Sequence, residues 1–155
     1  MKVGIIVYSR TGNTLSVAKR IKGKIKNENV VNIEQIEIKG DGGPGVKDIE
    51  FTVVPDIKDY DTVIFGSPVE AFSLNTVMKK YLEQIKSLAN KQVVCYVTKA
   101  LPFNWTGGNQ AISYMKKVCQ SKKGEIISTG VVKCNKFERE KSMNRVVNDI
   151  SRMIV

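Results

Sequence analysis

The chain has 155 residues, 42% apolar and 26% charged, which suits one globular domain and excludes a disordered chain or two domains of ordinary size. Its 25 Lys plus Arg stand against 15 Asp plus Glu, a net charge of +10, so expected partners are anions: a phosphate, an acidic protein, a nucleic acid or an anionic membrane. There is no histidine, and the three cysteines (Cys95, Cys119, Cys134) form no C-x-x-C pair, which speaks against a zinc site and removes Ser-His and Cys-His nucleophiles; each thiol reads as a small core or surface residue.

The first apolar run, Val3-Gly4-Ile5-Ile6-Val7, is followed by Tyr8-Ser9-Arg10 rather than by a small-residue cleavage site. It therefore reads as a strand and not a signal peptide. No stretch reaches the roughly 18 apolar residues of a membrane span, and a cytoplasmic location is expected. A polar turn leads into a helix starting at about Leu15, with Leu15, Ala18, Ile21 and Ile25 at helical spacing. Lys19, Arg20, Lys22, Lys24 and Lys26 lie along that segment and read as its solvated face. Val31-Asn32-Ile33 and Ile36-Glu37-Ile38 alternate, as an edge strand does.

The connection 39–59 holds Gly40, Gly42, Gly43, Pro44, Gly45 and Pro55 and is expected to be irregular, with Phe51-Thr52-Val53-Val54 as a short extra strand. Thr62-Val63-Ile64-Phe65 and Val93-Val94-Cys95-Tyr96-Val97 read as strands buried on both faces, and so does the run from Ile126 to Val132. Between them lie three more helical stripes. Val77, Met78, Tyr81, Leu82, Ile85 and Leu88 make the first. Ala111, Ile112, Met115, Val118 and Cys119 make the second. Phe137, Met143, Val146, Val147, Ile150 and Ile154 make the third.

This order predicts a single α/β domain over residues 1–155: a three-layer, doubly wound, five-stranded parallel sheet. Its ligand site belongs at the carboxyl ends of the strands, where segments 8–14, 66–73 and 98–108 meet. The first of these is the strongest signal. Ser9, Thr11 and Thr14 offer hydroxyls, Asn13 an amide, and Gly12 lets the backbone turn close to an anion. The first turn of the helix adds free N–H groups and the positive end of its dipole, which together make a phosphate cradle. The spacing is neither that of a P-loop nor G-x-G-x-x-G.

The run from Val3 to Thr14 resembles the first strand and FMN-phosphate loop of the flavodoxin family, [ST]-x-T-G-N-T. Asp59-Tyr60-Asp61-Thr62-Val63-Ile64-Phe65-Gly66-Ser67-Pro68-Val69 is similar to that family's third strand and the loop after it. The resemblance implies a flavodoxin-like fold with strand order 2-1-3-4-5 and FMN as cofactor. It further implies that Ser9, Arg10, Thr11, Gly12, Asn13 and Thr14 hold the phosphate. Ser67, Pro68, Val69, Glu70 and Phe72 would border the flavin ring on one side, and Thr98, Lys99, Phe103, Trp105 and Gly107 on the other. Phe72, Phe103 and Trp105 are the aromatic candidates for stacking on the ring. Glu70 stands where relatives often carry an aromatic residue. Its carboxylate would lower the flavin's reduction potential if it faces the ring ionised, or else it points to solvent.

Three functions are open at this stage. The favoured one is an FMN electron-transfer protein whose redox partner, given the +10 charge, is acidic or neutral at its docking face. The alternative is an NAD(P)H-dependent FMN or quinone oxidoreductase on the same fold, with Arg10 and Lys99 available to a nucleotide phosphate. The remote one is a flavin-free binding module for an acidic partner. No metal, nucleic-acid partner or membrane span is expected, because no matching motif is present.

Overall fold

A computed structural model describes residues 1–25, 29–100 and 107–154. The elements in chain order are β1 (Lys2–Val7), α1 (Asn13–Lys24), β2 (Val30–Gln35), β3 (Glu37–Ile38), β4 (Phe51–Val53), β5 (Thr62–Glu70) and β6 (Ser73–Leu74), then α2 (Thr76–Gln84), β7 (Gln92–Lys99), α3 (Gly108–Ser121), β8 (Glu125–Lys133) and α4 (Arg139–Met153). The main sheet runs β2-β1-β5-β7-β8, every one of those pairs parallel, and β6 folds back antiparallel on the end of β5. This is the doubly wound order expected, with β5, β7 and β8 as its third, fourth and fifth strands.

Strand periodicity divides the core in two. Ile6, Val63, Phe65, Val93, Cys95 and Val97 face α2 and α3, packing on Val77, Met78, Tyr81, Leu82, Ala111, Met115 and Cys119. Their neighbours Val3, Ile5, Val7, Ile64, Val94 and Tyr96 face α1 and α4, against Val17, Ala18, Ile21, Met143, Val146 and Ile150. Each central strand is thus apolar on both faces because each face carries a helix layer. Among the described residues no helix is long and apolar enough to cross a membrane. The cysteines are free thiols, Cys95 and Cys119 buried and Cys134 half-buried.

The structure departs from the sequence expectations in five places. First, α1 begins at Asn13 rather than Leu15, because Gly12 caps it from the left-handed region. Second, α2 stops at Gln84. Ile85 turns extended, and Leu88 gives its N–H to the Lys122 carbonyl at 2.7 Å, so the last two apolar residues of that stripe pack in the core without being helical. Third, β8 is the sheet edge and is half-buried rather than enclosed on both faces. Fourth, Phe137 is 91% exposed, in a turn before α4 instead of in its stripe. Fifth, the alternating segment 31–38 splits: β2 joins the main sheet, while β3 pairs antiparallel with β4, the short extra strand expected in the connection.

Candidate functional site

The carboxyl ends of β1, β5 and β7 lead into three loops that meet above the sheet. The first, Ser9–Gly12, ends in α1. Gly12 is the N-cap residue at φ 93°, and no side chain caps the helix from that position. The first N–H groups of any helix lack intrahelical partners. Here Ser9 Oγ accepts the Leu15 N–H at 3.3 Å, while those of Gly12, Asn13 and Thr14 find no acceptor among the described residues. A Cβ placed on Gly12 would meet nothing within 4 Å, so open space lies beside these donors. Thr11 is exposed on the loop and Asn13 half-buried at its end. Oriented donors, the positive end of a 12-residue helix and free volume fit a phosphate.

Thr14 sits differently. It is only 1% exposed, and its hydroxyl is hydrogen-bonded at 2.9 Å to that of Thr98, itself 4% exposed. The Tyr96 hydroxyl donates to the Thr14 carbonyl at 2.7 Å. Two residues expected at the ligand therefore face each other beneath the loop and pin it to β7.

Arg10 is engaged by two carboxylates. Its Nε and Nη2 hold both oxygens of Asp41 at 2.9 and 3.0 Å, and Nη1 reaches Glu70 Oε2 at 3.1 Å. These bonds raise the Arg10 pKa, and the guanidinium holds the exposed Asp41 carboxyl below the ordinary range. The Glu70 side chain is 12% exposed and ion-paired with Arg10, so it does not point freely into solvent. The glycines of the 39–59 connection have a packing reason. A Cβ on Gly42 would overlap the Tyr8 hydroxyl, and one on Gly43 would stand 2.9 Å from Arg10 Nη2. Asn75 completes the tie: its Nδ2 donates to the Gly42 carbonyl, and its Oδ1 caps α2 at Val77.

Where a loop over 66–73 was expected, β5 runs on to Glu70 and turns back as a hairpin, so Ser67, fully buried, and Pro68 and Val69, half-buried, are strand residues. Ala71 and Phe72 then make the two-residue β5–β6 turn with φ 50° and 63°, both positive, a conformation that favours Asn-Gly. This turn lifts Phe72, 55% exposed, to the rim. Lys99, the last residue of β7, is 5% exposed; burial and then the nearby Lys133 push its pKa down, with Glu138 opposing. Gly107, at φ 102°, caps α3, again with no side-chain cap. A Cβ there would overlap the Phe72 carbonyl, so the second and third loops touch at this glycine. Phe103 and Trp105 lie outside the described residues.

Two charged residues at the site were not anticipated from sequence. Asp41 anchors Arg10. Arg139, the first residue of α4, places Nε and Nη2 at 3.4 and 3.3 Å from Asn13 Oδ1. Among the described residues no group of His, Cys, Asp and Glu could hold a metal ion.

A family model described as a flavodoxin domain matches residues 4–132. No curated protein matches the chain. Among solved structures, a flavoprotein from Lactobacillus acidophilus NCFM in complex with FMN is 17% identical, aligned over 94% of this chain and 97% of that one with a TM-score of 0.65. Oxidised flavodoxin 1 from Bacillus cereus is 16% identical over 99% and 97% of the two chains, at 0.70. A Trp repressor binding protein from Bacillus subtilis is 12% identical over 99% of each, also at 0.70. At these identities the likeness to solved structures carries the fold.

Proposed function

Because the chain belongs to the flavodoxin family, we propose that it binds FMN at the carboxyl end of the sheet and transfers electrons between redox partners. The observation that carries this reading is the first loop: three N–H groups at the head of α1 without an acceptor among the described residues, beside open space at a left-handed glycine. Ser9, Thr11, Gly12 and Asn13 would hold the phosphate. Pro68, Val69 and the Phe72 turn would flank the ring on one side, and Lys99 and Gly107 on the other. When bound, FMN supplies the redox chemistry.

The chain's own contribution is orientation and charge. Thr14 and Thr98 fix the height of the cradle on β7. Arg10 ties the cradle to the Asp41 loop and to Glu70, so that the carboxylate nearest the second loop is ion-paired. The close approach of Gly107 to the Phe72 backbone holds the β5–β6 turn against the head of α3. Two features favour the carrier over an NAD(P)H-dependent reductase. Arg10 is committed to two carboxylates, and Lys99 is buried, so the two cations considered for a nucleotide phosphate are both otherwise engaged. The +10 charge favours a partner that is acidic or neutral at its docking face.

Titration of the apo-protein with FMN and riboflavin, followed by flavin fluorescence, tests the site. Strong quenching by FMN with weak riboflavin binding is expected, and no uptake of FMN would refute the assignment. Menadione reduction with NADH or NADPH then separates the roles: the carrier shows no turnover with either.

A further inference from the structure

The cradle as a flavodoxin loop contains one cation, Arg10, and that cation is cancelled by Asp41 and Glu70. A second one arrives from the far end of the chain. Arg139 lies 126 residues from Asn13 and reaches its Oδ1 with two guanidinium nitrogens. The place is unfavourable for helix stability, since a cation in the first turn of α4 opposes the positive end of the dipole.

Its hold on neighbouring groups is also loose. The bonds to Asn13 are 3.3 and 3.4 Å, and Nη1 is 3.3 Å from Glu140 Oε1. Glu140 meanwhile gives both oxygens to Arg20 at 2.8 and 3.0 Å. The three charges sum to a surplus of one positive charge, and the Arg139 side chain is 37% exposed at the end of the cradle. Holding Asn13 by its oxygen also turns the amide's donor end away from Arg139.

We propose that Arg139 is a specificity-determining residue of the phosphate cradle. It reads the second negative charge of a terminal phosphomonoester, so the site prefers FMN over riboflavin and over FAD, whose proximal phosphate is tied up in an anhydride and carries one charge. The inference rests on the FMN reading above and adds a charged contact from α4 to the donors of the α1 loop. Its mechanism is direct: an anion on the α1 N–H groups lies next to Asn13, and the guanidinium can leave a neutral amide oxygen for a charged one, a stronger acceptor.

The test is the ratio of FMN to riboflavin dissociation constants, measured at several KCl concentrations for wild type, Arg139→Gln and Glu140→Gln. Arg139→Gln should weaken FMN about tenfold, leave riboflavin within about twofold, and flatten the salt dependence of FMN binding. Glu140→Gln removes the carboxylate that competes for Arg139 and should leave the FMN preference at least as strong as in wild type. Two results overturn the proposal. One is an unchanged ratio in Arg139→Gln. The other is an equal fall in Glu140→Gln, which would mean that the network only shapes the loop. Riboflavin binding reports whether the variants fold. A wild type that ignores FMN would instead refute the site itself.

Discussion

Replacing Gly107 with alanine perturbs the contact on which the second and third loops meet. Two costs add there. The backbone is at φ 102°, where an L side chain costs about 1 to 2 kcal/mol. The new methyl would also stand 2.7 Å from the Phe72 Cα and closer still to its carbonyl. The clash is with backbone already committed to a tight turn, so relief requires moving the hairpin, at about 1 to 3 kcal/mol. Gly12→Ala is the matched control. Its φ is 93°, yet nothing lies within 4 Å of the added atom, so only the backbone cost of about 1 to 2 kcal/mol applies. Urea unfolding of the apo-proteins should place Gly107→Ala about 3 kcal/mol or more below wild type and Gly12→Ala about half as far. In thermal melts, at about 2 to 4 °C per kcal/mol for a domain of this size, the drops are about 6 to 12 °C and about 3 to 6 °C. Equal losses in the two variants would refute the contact between Phe72 and Gly107.

Thr14→Val should destabilise the protein by about 1 to 3 kcal/mol by stranding the buried Thr98 hydroxyl, while leaving the ratio of FMN to riboflavin affinity unchanged; Thr11→Ala should do the reverse, lowering that ratio with little effect on urea unfolding. Arg10→Gln releases the Asp41 and Glu70 carboxylates from their cation beside the second loop, so the midpoint potential of the bound flavin should fall in a dye-coupled reduction; an unchanged or higher potential counts against the pairing. The carboxyls of Asp41 and Glu140 are held below their ordinary pKa by Arg10 and Arg20, so the stability they contribute is present above the ordinary carboxylate pKa and lost as pH falls through the lowered values. Urea midpoints between pH 7 and 3 should therefore drop less in Asp41→Asn and Glu140→Gln than in wild type, modestly, because both carboxylates are exposed and screened.

The layers of the fold were legible because period-2 and period-3.6 patterns alternate cleanly along the chain, and the glycine at position 12 marked where a phosphate could approach. Thr14 shows what hydroxyl counting misses. It is in phase with Val17, Ala18 and Ile21 at helical spacing, all buried, so its direction was readable once the helix was started at Asn13 rather than at Leu15. The ion pairs were not readable. Arg10 meets partners 31 and 60 residues away, and Arg139 meets Asn13 at a separation of 126. No local pattern signals such pairs, because only the register of the parallel sheet brings them together. Phe137 failed for the opposite reason. It fell near enough to the α4 stripe to be counted, but the Asn135 side chain accepts the N–H groups of Phe137 and Glu138, and that turn ends the strand before the helix phase begins.

The clamp made by Arg10, Asp41 and Glu70 also orders events during synthesis. The cradle residues 9–14 leave the ribosome early and are contiguous, yet the carboxylates that set Arg10 follow only at residues 41 and 70, and the glycine against which the second loop rests at residue 107. Arg139 comes later again. A nascent chain therefore carries the Ser9–Gly12 turn long before it owns the residues that pack around it. Under the proposed function, flavin uptake would need every one of these parts in place and so would report that the whole sheet has closed.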